Sequence, residues 1–200
     1  MNSGATAERV YEALRRRIMA REFRPGDRLD PAALAETLAS SVTPVRDALH
    51  MLAGERLVET RTSDGFHLPS IDEPGLKDLY GWTNDVVGLA IRVWRPAPLP
   101  PLGGSPEADI AERSAKLFAA IASGSDNLEH RHAVFALNAR LHAVRTVEPR
   151  VIGGVDAELE AIGAGLAEGD RQSLRRLVAS YHRRRLRAAA EIVRAVYRAE

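Results

Sequence analysis

Pro25-Gly26, Asp30-Pro31, Thr43-Pro44 and Asp64-Gly65 cut the first seventy residues into short pieces. Proline fixes φ and lacks an N–H, and glycine admits positive φ, so neither a long helix nor a long strand runs through these points. Before the first break, Val10, Leu14 and Ile18 recur every four residues with Ala13 beside them. That spacing predicts an amphipathic helix over 6–22 with Thr6 as its N-cap, although Arg9 stands where a capping box would place an acid. Asp30-Pro31 predicts a second helix, capped by aspartate and opened by proline, with Leu34 and Leu38 as its buried edge. Thr43-Pro44 predicts a third, running to about Glu55, with Val45, Ala48, Leu49 and Leu52 inward and Arg46, Asp47 and His50 outward. Leu57–Thr60 and Phe66–Pro69 then read as strands, and Asp64-Gly65 between them is a hairpin signal.

Three helices and a hairpin are the layout of a winged helix-turn-helix. Ile71-Asp72-Glu73-Pro74 reads as a hinge, after which no strand pattern recurs. Helices are expected at 74–94, 106–123, 127–147, 155–168 and 171–198, the last capped by Gly169-Asp170. The prolines at 96–101 and Gly103-Gly104-Ser105 form a connector. The expected architecture is therefore mainly α. It combines an N-terminal winged helix-turn-helix over 1–72 with an all-helical C-terminal bundle over 73–200.

The chain has no cysteine, which excludes disulfides, zinc ribbons and thiol nucleophiles. No run of 18 apolar residues is present to span a membrane, and the first residues lack an apolar signal core. A cytoplasmic protein is the expectation. Net charge is only +1, and residues 1–72 hold ten arginines against eleven acids. Any affinity for DNA must therefore come from a few placed groups, with weak non-specific binding and a modest salt slope.

Ser41-Val42-Thr43-Pro44-Val45-Arg46-Asp47-Ala48-Leu49 is followed by Leu52, Glu55, Leu57-Val58 and the Asp64-Gly65 turn. It is preceded by Val10, Leu14, Ile18, Pro25-Gly26-Asp27-Arg28-Leu29 and Leu34-Ala35. Over about residues 7–70 this order and spacing resemble the GntR family of bacterial transcription regulators. The resemblance implies a homodimeric, ligand-responsive repressor on an inverted-repeat operator, with the third helix in the major groove of double-stranded DNA. Ser41, Thr43 and the amides opening that helix suit phosphate oxygens, and Arg46 suits guanine. Val42 stands where many relatives carry arginine, and it suits a thymine methyl or packing. Ala32 and Asp64 also replace residues that are often basic. Gly65 lets the wing backbone approach the minor groove, and Arg61, His67 and Arg15–Arg17 are candidates for the missing positive charge.

The C-terminal part resembles the FCD-type effector domain of the FadR branch. That resemblance implies dimerisation and a divalent metal (zinc, manganese or nickel) that captures a small carboxylate effector. Asn138 and His142 match the family's first ligand pair, with asparagine replacing aspartate, and His182 matches its last. Glu160 falls near the position of the middle ligand, and Thr83 and Val87 fall where an arginine and a glutamate are usual. His130 and His132 read as surface residues. Arg175, Arg176, Arg183–Arg185 and Arg187 read as a solvated face, and Tyr80, Trp82 and Trp94 as core or dimer interface. Two other readings stand beside this one: a C-terminal part that only dimerises, and a small metalloenzyme built on His142 and His182.

Overall fold

A computed structural model describes residues 3–62, 64–95 and 109–198. The proline run and the Gly103-Gly104-Ser105 connector lie outside the described residues. The chain divides into two units between Ile71 and Asp72.

The first unit contains α1 (Ser3–Met19), β1 (Arg28–Leu29), α2 (Pro31–Thr37), α3 (Val42–Gly54), β2 (Glu59–Arg61) and β3 (Gly65–His67). Val10, Leu14 and Ile18 of α1 pack against α3, whose Val45, Ala48, Leu49 and Leu52 are buried. The α1 helix starts and ends three residues earlier than its apolar spacing predicts. Arg21 adopts a left-handed conformation (φ 58°) that closes its C-terminus, and Thr6 lies inside the helix rather than capping it. Asp30 caps α2 as expected, accepting from Ala32 N at 2.8 Å. In α3 the cap is Ser41, not Thr43: the helix opens at Val42 and places Pro44 third. A proline there forfeits nothing, because the first four amides of a helix have no intrahelical acceptor.

The hairpin forms with Arg61 opposite Gly65, and its strands are shifted from the expected spans to 59–61 and 65–67. Leu57 and Val58 instead fold under the end of α3, both donating to Leu52 O. A third strand, β1, pairs with β3 through Arg28–His67 and Leu29–Phe66, giving the antiparallel order β1-β3-β2.

The second unit contains α4 (Glu73–Arg92), α5 (Ile110–Ser123), α6 (Leu128–Arg145), a 3₁₀ turn (Glu148–Arg150), α7 (Val155–Glu168) and α8 (Arg171–Arg198). Each start signal has a partner: Asp72 accepts from Gly75 N, Asp109 from Glu112 N, Asn127 from Glu129 N and Asp170 from Gln172 N. Such caps contribute about 1 kcal/mol each. The α4 helix packs on α8 and α6, α5 on α6, and α7 on α8 and α5. Tyr80 and Trp94 are core residues, whereas Trp82 is 53% exposed. No described helix is long and apolar enough to cross a membrane.

Candidate nucleic-acid interface and helical interior

The first two turns of α3 have two distinct sides. Val45, Ala48 and Leu49 face the core, while Ser41, Val42, Thr43, Arg46, Asp47 and His50 are exposed. Thus Ser41, Val42, Thr43 and Arg46 come together at one helix start, where unpaired amides and the helix dipole favour anions. Among the described residues Arg46 is held by no ion pair, so its guanidinium stands ready for an external acceptor.

The wing differs from the sequence expectation. Arg61 is exposed but lies against Glu59, with Nη2 to Oε1 at 2.6 Å. Gly65 is exposed with φ 82°, and a Cβ there would meet nothing within 4 Å. Glycine therefore serves the backbone conformation at this point. His67, expected to face DNA, is buried. Its Nδ1 lies 3.3 Å from Gly26 O, and its Nε2 lies 3.1 Å from Asp64 O and 3.0 Å from Asp64 Oδ2. The ring thus bridges the Gly26 turn and Asp64 at the hairpin tip, so it fastens the wing. Arg28 was missed as a neighbour of the wing, and the β1 pairing brings its Nε to 3.9 Å from Asp64 Oδ1. Of the α1 cluster, Arg15 pairs with Glu55 and Arg17 with Glu22, leaving Arg16 exposed.

In the helical unit the expected ligand set does not assemble. Glu160 is exposed on α7. Asn138 donates through Nδ2 to Ala115 O at 2.9 Å and accepts through Oδ1 from Arg145 Nη1 at 2.7 Å. The neighbouring guanidinium opposes a divalent cation. His142 is half-buried one turn beyond Asn138. His182 is buried with Nδ1 on Val178 O at 2.8 Å. Among the described residues no group of three or more His, Asp or Glu is placed to hold a metal ion. A zinc, manganese or nickel site on Asn138, His142, Glu160 and His182 therefore does not fit these residues. Thr83 and Val87 are buried, with Thr83 Oγ1 donating back to Leu79 O. His130 is half-buried against Ser125, and His132 is exposed.

Of the α8 arginines expected on a solvated face, Arg175, Arg176, Arg183 and Arg187 are exposed and Arg184 is half-buried, whereas Arg185 lies inside. Arg185 is fully buried, donating through Nε to Glu148 Oε2 at 2.9 Å and through Nη1 to Glu158 Oε2 at 2.6 Å. Glu148 is equally buried and accepts from Tyr80 Oη at 2.7 Å. Burial, with the Glu148 charge beside it, holds the Tyr80 phenol protonated. Arg145 is the second buried arginine, and its Cζ lies 5.1 Å from the Phe118 ring centroid. The missed signal was periodicity: Leu174, Val178, Tyr181, Arg185, Ala189, Ile192 and Val196 form one buried stripe of α8.

The model of the family described as bacterial regulatory proteins, gntR family, matches residues 6–68. The Nta operon transcriptional regulator of Aminobacter aminovorans is 40% identical over 58 residues, 29% of this chain and 28% of that protein. The uncharacterized HTH-type transcriptional regulator YdhC of Bacillus subtilis (strain 168) is 27% identical over 70 residues, 35% of this chain and 31% of that protein. The matched stretch thus spans about three tenths of each curated relative. A solved structure described as a transcriptional regulator GntR from Rhodococcus sp. RHA1 has a similar fold, with a TM-score of 0.76 at 22% identity. That match covers 96% of this chain and 99% of the other. The matched family and these relatives are transcriptional regulators, not enzymes.

Proposed function

We propose, for a chain whose residues 6–68 carry the gntR-family DNA-binding domain, that it is a homodimeric, ligand-responsive transcription regulator. Two copies of α3 enter successive major grooves of an inverted-repeat operator. The observation that carries this reading is the exposed start of α3, with Ser41, Val42, Thr43 and Arg46 on one side of a buried apolar stripe. Ser41, Thr43 and the opening amides take phosphate oxygens, and Arg46 pairs with a guanine edge. Gly65 and Arg61 lie on the wing, where phosphate contacts would set register.

Fluorescence anisotropy with the promoter next to the protein's own gene tests the assignment. Arg46→Ala is expected to weaken specific binding by about 1–3 kcal/mol, roughly tenfold to a hundredfold, and to relax preference at one base position. Unchanged affinity and sequence preference would remove Arg46 from the reading set.

The dimer reading is supported by α4. Trp82, Leu89 and Val93 lie on one helical face and are 53%, 38% and 42% exposed. An apolar stripe of this kind suits a two-fold interface. Trp82→Asp is expected to shift sedimentation from dimer to monomer at micromolar protein, with the circular dichroism spectrum retained. A dimer that persists unchanged would place the interface elsewhere. Effector binding in the helical unit would alter the separation of the two α3 helices, and hence affinity for the operator.

A further inference from the structure

We propose that the outward face of α8 is a second, sequence-independent DNA surface, on which a line of arginines takes the phosphates of duplex DNA. The buried stripe of α8 runs from Leu174 through Tyr181 and Arg185 to Val196. The opposite side of the same helix carries Arg176, Arg183, Arg187, Arg194 and Arg198, all exposed. Their spacing of seven, four, seven and four residues keeps them in one narrow sector. On an α-helix the line from Arg176 to Arg198 is about 33 Å long. Between Arg171 and Arg198 the chain has a single acid, Glu191.

A solvated helix face normally mixes the two signs of charge, and this one does not. Arg184 and Arg185 pair with Glu158 and Glu148. Among the described residues the five outward arginines form no ion pair. Arg183 with Arg187, and Arg194 with Arg198, are like charges one turn apart, which weakens a helix. Compensation of the helix dipole accounts only for the last turn, where Arg198 lies. At the other end the first turn has no acid, and Arg171, Arg175 and Arg176 add positive charge to an already positive terminus. An external polyanion relieves this repulsion along the whole line.

Length and chemistry select the occupant. Guanidiniums repeated along a helix fit a repeating anion better than a compact ligand, and each matches two phosphate oxygens. At the end of α8 a cleft of about 360 Å³ brings Arg150 of the 3₁₀ turn beside Glu191, Arg194 and Arg198, which widens the line there. From Arg176 to Arg194 no exposed aromatic ring is present to stack on unpaired bases, so the contacts are those of a duplex backbone. The first unit lacks such a surface. Its arginines are outnumbered by acids, and Arg28 and Arg61 of its sheet lie against Asp64 and Glu59. The outward face of α8 supplies the sequence-independent attraction that this unit does not.

This inference rests on the regulator reading for its choice of DNA as the polyanion, and a random-sequence duplex lets the two fail separately. Fluorescence anisotropy of the full chain on that duplex and on the promoter duplex, between about 50 and 200 mM salt, gives log Kd against log salt. Arg183→Gln/Arg187→Gln/Arg194→Gln is expected to reduce the slope by about 2 or more on both duplexes, at about 0.9 per phosphate contact. Random-duplex binding at the lower salt weakens at least about tenfold. The ratio of the two affinities stays within about twofold, whereas Arg46→Ala lowers it. Lys77→Gln/Lys116→Gln/Arg131→Gln removes the same charge from exposed positions of α4, α5 and α6. That control is expected to keep the slope within about 0.5. Should the α8 triple variant not fold, Arg183→Gln alone carries the comparison, with an expected fall of about 1. The proposal is overturned if the α8 variant keeps the slope or if the control lowers it as much. It is also overturned if the α8 variant loses only binding to phosphatidylserine vesicles, which would assign the face to a membrane. A promoter bound no better than random sequence, with the slope still falling in the α8 variant, would count against the regulator reading and leave this surface standing.

Discussion

Glu148→Leu is expected to destabilise the helical unit by about 3–5 kcal/mol, a large share of the stability of a domain. Glu148 lies just beyond α6 and is fully buried, with Oε1 accepting from Tyr80 on α4 and Oε2 held by Arg185 on α8. Three segments distant in sequence therefore converge on one carboxylate. Leucine fills similar space but leaves the Tyr80 hydroxyl without an acceptor. It also leaves the Arg185 guanidinium with Glu158 alone. The cost is that of an unbalanced charge in a low-dielectric interior, not of a lost contact, so removing the partner reverses most of it. The double variant Glu148→Leu/Arg185→Met is expected to recover more than half of the loss. Urea denaturation followed by circular dichroism, arranged as a double-mutant cycle, measures this coupling. Strict additivity of the two single losses would show that Glu148 and Arg185 act independently.

That network also marks where sequence reading stopped. The first unit was legible because its boundaries are local events. Pro25-Gly26, Asp30-Pro31 and Asp64-Gly65 act on their own neighbours, and the four-residue spacing of Val10, Leu14 and Ile18 fixes the inner face of α1. The exposed start of α3 followed from the same logic, and only its cap was displaced, from Thr43 to Ser41. What escaped depends on long-range pairing. The two-residue strand β1 exists only because β3 lies beside it, and the same long-range approach covers His67, whose ring meets Gly26 O. In α8, Arg183, Arg184 and Arg185 look alike as residue types, and nothing local separates them. Arg184 reaches Gly153 O and Glu158, whereas Arg185 continues the buried stripe. The periodicity was present in the sequence, but the charge masked it. Arg145 was hidden in the same way, next to Val144 and one turn after Leu141. The expected metal set failed for a related reason. Matching Asn138 and His142 to a ligand pair ignored an arginine that uses the Asn138 amide.

Gly124→Ala tests a different kind of constraint, in which a single methyl group is expected to cost about 3 kcal/mol or more. Gly124 follows α5 with an ordinary φ of −74°, so its backbone would accept alanine without strain. The obstacle is Trp94, whose ring presses against the glycine: a Cβ built there would lie 1.8 Å from both Cδ1 and Nε1. That is far inside van der Waals contact, so one of the two must move. Trp94 is 2% exposed, and the chain beside it is pinned by Arg95 N donating to Gly124 O at 2.8 Å. The backbone therefore cannot withdraw without losing that bond, and the indole is driven from the core instead. Fluorescence reports this directly, because the chain has two tryptophans and a Trp82→Phe background leaves Trp94 as the sole emitter. Gly124→Ala is expected to shift its emission to the red and to lower the urea midpoint. Gly81→Ala provides the contrast, because in the middle of α4 a Cβ meets nothing within 4 Å. There the same substitution is expected to stabilise by about 0.5–1 kcal/mol through helix propensity and reduced unfolded-state freedom. Unshifted Trp94 emission in Gly124→Ala, with a loss below about 1 kcal/mol, would mean that the core has room for the methyl group and that Trp94 is not what requires glycine at this position.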